Sequence, residues 1–298
     1  MTEMLLIPLK ITIFIFMVGN LLDLGLRLNL KAALKGLKDV RFVTLSLLWA
    51  FVLCPALAYG LTLVMPLTPA YAMGLILLAL APCAPLLPMM TEKAHGDLNY
   101  AATFILLASA TTVIYMPIMV PLMVKGLTVS AWAVAKPLLF LVVIPLVIGV
   151  IFQNVWEATA TRIQPFVKKV TGIDTLLMLI LIVLIYGKGF IGSVGSYAIG
   201  TQVIFFTVIT AASYLFGFGM PPSQKSVVSL GICTRNCGSA LAPLFVAKGV
   251  EQDAIVMVTL GIPMMVGFAV IAAKIFAARA GRAASSGEIA DKQQKVPA

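Results

Sequence analysis

The feature that most constrains this chain is an apolar stretch over residues 223–247 that is interrupted at its centre. A stretch of about 25 residues is long enough to cross a bilayer as a single helix at about 1.5 Å per residue. Its middle, however, contains Thr234-Arg235-Asn236, and Gly238 and Pro243 follow. A charge at that depth costs at least ~2.5–3.5 kcal/mol, so it must face protein, water or a ligand. The stretch therefore predicts two half-helices that meet near the membrane midplane, with Arg235 at the break.

The composition places the chain among polytopic membrane proteins of the all-α class. Of its 298 residues, 61% are apolar and only 11% are charged, and the mean hydropathy is +1.07. The net charge of +10 does not indicate nucleic-acid binding. The cations cluster in short loops between apolar spans, and they form no basic stripe with interleaved aromatics. We therefore predict a helical bundle surrounded by lipid, without a nucleic-acid partner.

A second apolar span, over residues 69–94, is also interrupted, because it contains Pro82, Pro85 and Pro88 in close succession. Each proline lacks an amide donor and clashes with the preceding turn, so the three cannot sit in one regular helix. Irregular backbone at membrane depth is tolerated only inside the protein or beside a water-filled cavity. Seven other spans complete a prediction of nine, at residues 4–25, 41–64, 98–123, 131–152, 170–187, 197–219 and 252–276.

The Lys and Arg residues predict the orientation of these spans. If the loop at residues 27–41 is cytoplasmic, fifteen of the 21 lie on the cytoplasmic side and four lie outside. Because cytoplasmic loops carry the excess of positive residues, we predict an outside N-terminus and a cytoplasmic C-terminus in a plasma or inner membrane. The cytoplasmic set is Arg27, Lys31, Lys35, Lys38, Arg41, Lys93, Arg162, Lys168, Lys169, Lys225, Lys274, Arg279, Arg282, Lys292 and Lys295, and the outer set is Lys125, Lys136, Lys188 and Lys248.

The two interrupted spans end alike, which indicates an internal repeat. Pro85 and Pro243 are each followed by an apolar turn, a Lys or His, a Gly and an acid, and then by another apolar span. In the predicted topology the two segments leave the membrane on opposite sides, as inverted repeats do in secondary transporters. We predict a membrane domain over residues 1–278, with repeat one at 4–123, a connector at 131–152 and repeat two at 170–276, and a disordered cytoplasmic tail at 279–298.

Two local motifs carry a resemblance to a known family. They are the run GICTRNCGSAL from Gly231 to Leu241, and the Gly96-Asp97 step between a broken span and a Ser/Thr-bearing one. The chain resembles the bile acid:sodium symporter family in its nine-span form, over most of its length. The resemblance implies two crossing broken helices with their flanking spans, set against a panel of the remaining spans. It also implies alternating access and organic-anion substrates, often carried with sodium.

The sodium site that the resemblance implies is not reproduced in this chain. Sodium requires oxygen ligands, and most positions that supply them in the family are changed here. In the second broken span, Gly231 stands where sodium-carrying members have Glu, and Arg235 stands where they have Gln. In the first broken span, Leu87-Pro88 replaces their Ser-Asn pair. In the next span, Ala101 and Ile105 lie near the positions of their Ser/Thr ligands. Of the family's site residues, Asn236 carries over. We therefore expect no cofactor and no metal site, and sodium coupling is open.

Arg235 admits three roles at the predicted break. Its guanidinium can anchor an anionic substrate. It can also replace the sodium charge at the C-terminal ends of the half-helices, or simply hydrogen-bond to exposed carbonyls there. Asn236 is expected to cap the half-helix that follows it. The predicted substrate-binding residues are Arg235, Asn236, Thr234, Ser239, Cys83 and Pro88, and further cavity-lining candidates are Asn20, Thr103, Ser109 and Thr112.

The favoured function is secondary transport of a small organic anion of carboxylate type. Pro82-Cys83-Ala84 is similar to the cysteine-bearing segment of arsenite-efflux permeases, which keeps metalloid efflux as an alternative, and a ligand sensor that does not transport is another. An intramembrane enzyme needs paired acids, a histidine metal set or a Ser/His couple within the spans. The one histidine, His95, lies at a membrane edge, so we predict that the protein is not an enzyme. The sequence predicts no oligomeric state.

Overall fold

The computed structural model describes residues 2–124, 129–247 and 249–294, with side chains from Met4 to Arg282 within those ranges. The described chain is helical apart from short connections, which confirms the all-α fold class. The helices are α1 (Thr2–Gly25), α2 (Leu30–Gly36), α3 (Val40–Leu48), α4 (Cys54–Val64), α5 (Pro69–Leu80), α6 (Leu87–Lys93), α7 (Leu98–Met123), α8 (Ala131–Leu138), α9 (Ile144–Val155), α10 (Glu157–Gly192), α11 (Ala198–Leu215), α12 (Pro222–Cys233), α13 (Cys237–Val246) and α14 (Gln252–Gln294).

Seven helical segments in the described ranges are long and apolar enough to cross a membrane, so the chain is an integral membrane protein. They coincide with seven of the predicted spans. The other two predicted spans are the short pairs α5/α6 and α12/α13, each broken near its middle. The seven segments are Met4–Gly25, Val40–Val64, Leu98–Met123, Ala131–Val155, Glu157–Gly192, Ala198–Leu215 and Gln252–Arg282.

The helices pack as two groups. Helix α1 lies along α9 and α10, and it approaches α9 closely where Gly25 meets Gly149. The broken pairs instead pack with α7, α11 and α14: α5 and α13 contact α14, and α12 contacts α7, α11 and α14. This division corresponds to the panel and the core that the family resemblance implies.

Proline shapes two of the spanning segments. A π-helical turn at Trp49–Leu53 joins α3 to α4, and another at Leu139–Val143 joins α8 to α9. Each lies immediately before a proline in the first turn of the next helix, Pro55 or Pro145. Since proline cannot donate a backbone hydrogen bond, the wider turn accommodates the interrupted ladder without ending the helix.

One predicted boundary is wrong. The basic segment with Arg162, Lys168 and Lys169 is predicted as a loop before a span at 170–187, but α10 begins at Glu157 and includes all three. Ala, Glu, Gln and Lys in this segment are good helix formers, so the helix continues beyond its apolar part. Helix α14 runs to Gln294. The domain limits and the disorder of the tail stay predictions, and Lys125, Lys248 and Lys295 lie outside the described residues.

Candidate functional site

The two helix breaks lie against each other. The backbone amide of Cys83 donates to the carbonyl of Thr234 over 2.8 Å, and the amide of Asn236 donates to the carbonyl of Ala81 over 2.9 Å. These bonds form a short antiparallel bridge centred on Pro82 and Arg235. Buried backbone polar groups must be paired, and here each unwound segment satisfies the other. The predicted half-helices therefore exist, and they cross at their breaks.

Local chemistry explains where the second half of each broken span restarts. The side-chain oxygen of Asn236 accepts from the backbone amide of Ser239 over 3.1 Å, so Asn236 is the predicted cap of α13. In the first break, Pro88 stands in the first turn of α6, where a missing amide costs nothing. Cys83 has a backbone φ of +68°, a left-handed conformation that is uncommon for a residue with a side chain.

Arg235 is completely buried at this crossing. Its Nη1 donates to the carbonyl oxygen of Ala79 over 3.2 Å, and its Nη2 lies 2.7 Å from the Sγ of Cys54. The guanidinium also stands over the ring of Phe205, 5.8 Å from its centroid. Its Nε has no hydrogen-bond partner among the described residues. The guanidinium is thus held by a carbonyl, a sulfur and an aromatic face, and no carboxylate contacts it within the described chain.

The other predicted site residues are dispersed. Thr234 and Thr112 are buried, and each hydroxyl donates to a carbonyl of its own helix, four residues earlier. The hydroxyl of Ser239 is buried without a partner in the described residues. Thr103 donates to the carbonyl of Ala33 and so fastens α2 to α7. Ser109 is half-buried on α7.

A cavity of about 460 Å³ lies between α1, the first break with α6, and α10. Of the predicted residues, Asn20 and Pro88 line it, whereas Arg235 does not. A smaller cavity of about 200 Å³ lies on the other side of Pro88 and shares Arg27 and Leu98 with the first. The larger cavity is lined by Asn20, Asp23, Arg27, Pro85, Leu86, Pro88, Met89, Glu92, Leu98, Lys168, Thr171, Gly172 and Thr175.

A small polar network closes one wall of the larger cavity. Asp23, near the end of α1, forms an ion pair with Arg27 in the turn that follows this helix. Its other carboxylate oxygen accepts from the Nε2 of Gln164 on α10, over 2.8 Å. The positive charge of Arg27 is therefore neutralised by Asp23 within the cavity wall. Lys168, also on α10, is exposed and forms no ion pair within the described chain.

Sequence reasoning missed Asp23, Arg27 and Lys168 as cavity residues, although a signal was present. Asn20 and Asp23 are three residues apart, which places them on one face of α1, and Arg27 follows four residues later, just after that helix ends. Lys168, Thr171 and Thr175 have the same spacing on α10. Such polar faces at the ends of apolar spans indicate a water-filled cavity. The polar face of α10 was missed because the predicted span began at residue 170, after Lys168.

The described residues contain no group of three or more His, Cys, Asp or Glu side chains that could hold a metal ion. The four cysteines, Cys54, Cys83, Cys233 and Cys237, are buried and form no disulfide bonds. The predicted absence of a metal site stays a prediction.

The model of the sodium bile acid symporter family matches residues 12–193. The chain belongs to the sodium bile acid symporter family. It is a family of transporters, and its match covers α1 from residue 12 onward, the first break and the cavity-lining part of α10. The second break, with Arg235, lies beyond the matched range. No match is found among curated proteins.

Proposed function

We propose that this protein is a secondary transporter that moves a small organic anion of carboxylate type across the membrane by alternating access. The observation that carries the proposal is the cavity of about 460 Å³ that joins the first helix break to the polar faces of α1 and α10. Binding sites for small molecules typically enclose about 300–1,000 Å³. Secondary transporters with inverted repeats place their sites beside discontinuous helices of this kind.

Lys168 is the cation of the cavity wall that remains available to an anion. Asp23 and Arg27 compensate each other, so their pair adds little net charge. Lys168 and Glu92 are the other two charged residues of the wall. The ammonium of Lys168 is free to donate to a carboxylate, while the hydroxyls of Thr171 and Thr175 on the same helix donate to their own backbone.

The division between the two helix groups supports alternating access. The cavity has α1 and α10 on one wall and the first break with α6 on the other, so its walls belong to the panel and to the core. A shift of the core against the panel would close this side and open the opposite one, with the crossing moving as part of the core. In the proposed topology of nine spans, with the N-terminus outside, the charged residues of the cavity lie near the cytoplasmic surface of a plasma or inner membrane.

The test is counterflow in proteoliposomes with a panel of labelled mono- and dicarboxylates. We expect exchange of at least one carboxylate above the level of empty liposomes. Lys168→Gln should weaken apparent substrate affinity about tenfold, the effect of losing a charge-assisted hydrogen bond. Lys169→Gln is the matched control, because Lys169 is the adjacent exposed lysine on α10 and does not line the 460 Å³ cavity.

The outcomes separate the alternatives. Carboxylate binding without exchange would indicate a sensor rather than a transporter. Exchange of arsenite alone, lost in Cys83→Ser, would favour metalloid efflux. Equal substrate affinities in the Lys168 and Lys169 variants would show that the substrate does not bind at Lys168 in this cavity.

A further inference from the structure

We propose that the guanidinium of Arg235 is a built-in cation that occupies the place of a bound sodium ion at the crossing, so that this transporter works without sodium. The inference rests on the proposed transport function, but its main test does not require transport. It concerns the core of the molecule, whereas the substrate cavity lies between the core and the panel.

The crossing is a place where a positive charge is stabilised. Helix α5 ends at Leu80 and α12 ends at Cys233, and the breaks that follow them lie against each other. The C-terminal end of each helix carries a partial negative charge of about half an electron. In transporters with discontinuous helices, such ends and the unwound carbonyls coordinate the coupling cation. Arg235 lies two residues after the end of α12, and its Nη1 donates to the carbonyl of Ala79 at the end of α5.

The charge of Arg235 is permanent and is not cancelled by an acid. A guanidinium stays protonated in proteins, and Arg235 contacts no carboxylate within the described residues. Its environment is the Ala79 carbonyl, the Cys54 sulfur and the face of Phe205. All three groups stabilise the single positive charge of the guanidinium. A second cation at the same helix ends would meet like-charge repulsion in a region from which water is excluded.

At the positions where sodium-carrying family members are expected to have oxygen ligands, this chain has glycine or apolar side chains. A Cβ atom added to Gly231 would lie 2.5 Å from the ring of Phe104, so this ring fills the position of any side chain there. Leu87, Ala101 and Ile105 are fully buried and apolar. One unpartnered hydroxyl, that of Ser239, does not make a coordination shell for a hard cation, which takes several oxygens. The residues present therefore do not fit a sodium ion, although the family is named for sodium symport.

The experiment measures the thermal unfolding of the purified full-length protein in equal concentrations of sodium chloride and choline chloride. We expect the same Tm in both salts for the wild type. Two variants test the charge itself: Arg235→Lys keeps it, and Arg235→Met removes it at similar length. Both should lower the Tm, and Arg235→Met should lower it further by about 5 °C, because it leaves the carbonyls of the crossing without a cation.

A rise of the wild-type Tm that is specific to sodium would overturn the inference, as would an Arg235→Met variant at least as stable as Arg235→Lys. If neither variant can be purified, comparing the Tm of the wild type in the two salts still tests whether the protein binds sodium. Where carboxylate exchange is observed, its rate should be equal in sodium and in choline. Absence of any exchange would overturn the proposed function, and the two-salt comparison would still test the built-in cation.

Discussion

The hydroxyl of Tyr115 on α7 donates to the backbone carbonyl of Phe51, in the π-helical turn that leads into α4. The usual donor to that carbonyl is the amide of residue 55, which is proline and has none. The two rings also pack edge to face, with centroids 4.9 Å apart. A side chain from a distant helix thus replaces a missing backbone donor.

Tyr115→Phe should destabilise the protein by about 1 kcal/mol, because it removes one hydrogen bond and leaves a buried acceptor unpaired. The ring contact with Phe51 is kept, so the loss isolates the hydroxyl. Unfolding in denaturant or by heat measures the difference. In the Pro55→Ala background the same substitution should cost less, since the restored amide can donate to Phe51. An equal cost in both backgrounds would contradict this account.

Gly149→Ala should destabilise the protein by about 1–3 kcal/mol, the usual cost of overpacking. A Cβ atom at this position would lie 2.6 Å from the carbonyl oxygen of Leu22 and 2.8 Å from the Cα of Gly25, both of which are backbone atoms that cannot move aside. Small residues allow membrane helices to approach this closely. Gly187→Ala on α10 is the control, because nothing lies within 4 Å of its added methyl. We expect the control to be neutral or slightly stabilising in thermal unfolding.

His95→Gly should raise the stability by about 1 kcal/mol. His95 follows α6 with a φ of +52°, and its amide and that of Gly96 donate to the carbonyls of Glu92 and Thr91. This is the Schellman arrangement, which favours glycine at the position of His95. His95→Ala keeps the unfavourable conformation and should give no gain. Exchange should be unaffected in both variants, and its loss in both would instead show that transport requires the imidazole of His95.

The carboxylate of Asp39 should stabilise the folded protein in a way that is lost at acid pH. It caps α3, and its pKa is lowered from the ordinary value of 3.8, first by the hydrogen bond from the Phe42 amide and also by those from Tyr100 and Gln224, which outweigh partial burial. A lowered folded pKa means that the contribution is present above about pH 4 and is lost as the pH falls through the folded value. The Tm of Asp39→Asn should therefore lie below that of the wild type at pH 6, and the difference should narrow below pH 4. A constant difference down to pH 3 would contradict the assignment.

The candidate site was partly readable from the sequence. Pro82, Pro85 and Pro88 forbid a regular helix, and Arg235 in an apolar span requires a protected environment, so both breaks were predicted at the positions where they occur. The cap at Asn236 was predicted as well. The polar network in the wall of the 460 Å³ cavity was not predicted, because Gln164 and Asp23 are 141 residues apart and meet only when α10 packs along α1.

The sequence by itself determined the all-α membrane class and the positions at which two helices cannot continue. Those outcomes depend on local chemistry: missing amide donors, a capping side chain and a charge among apolar neighbours. Only the tertiary structure decided that Cys83 pairs with Thr234 across the crossing, and that Arg235 is held by Ala79 and Cys54 rather than facing a cavity. Partners of this kind are chosen by the packing of distant helices, and the pattern of residues along any single helix does not specify them.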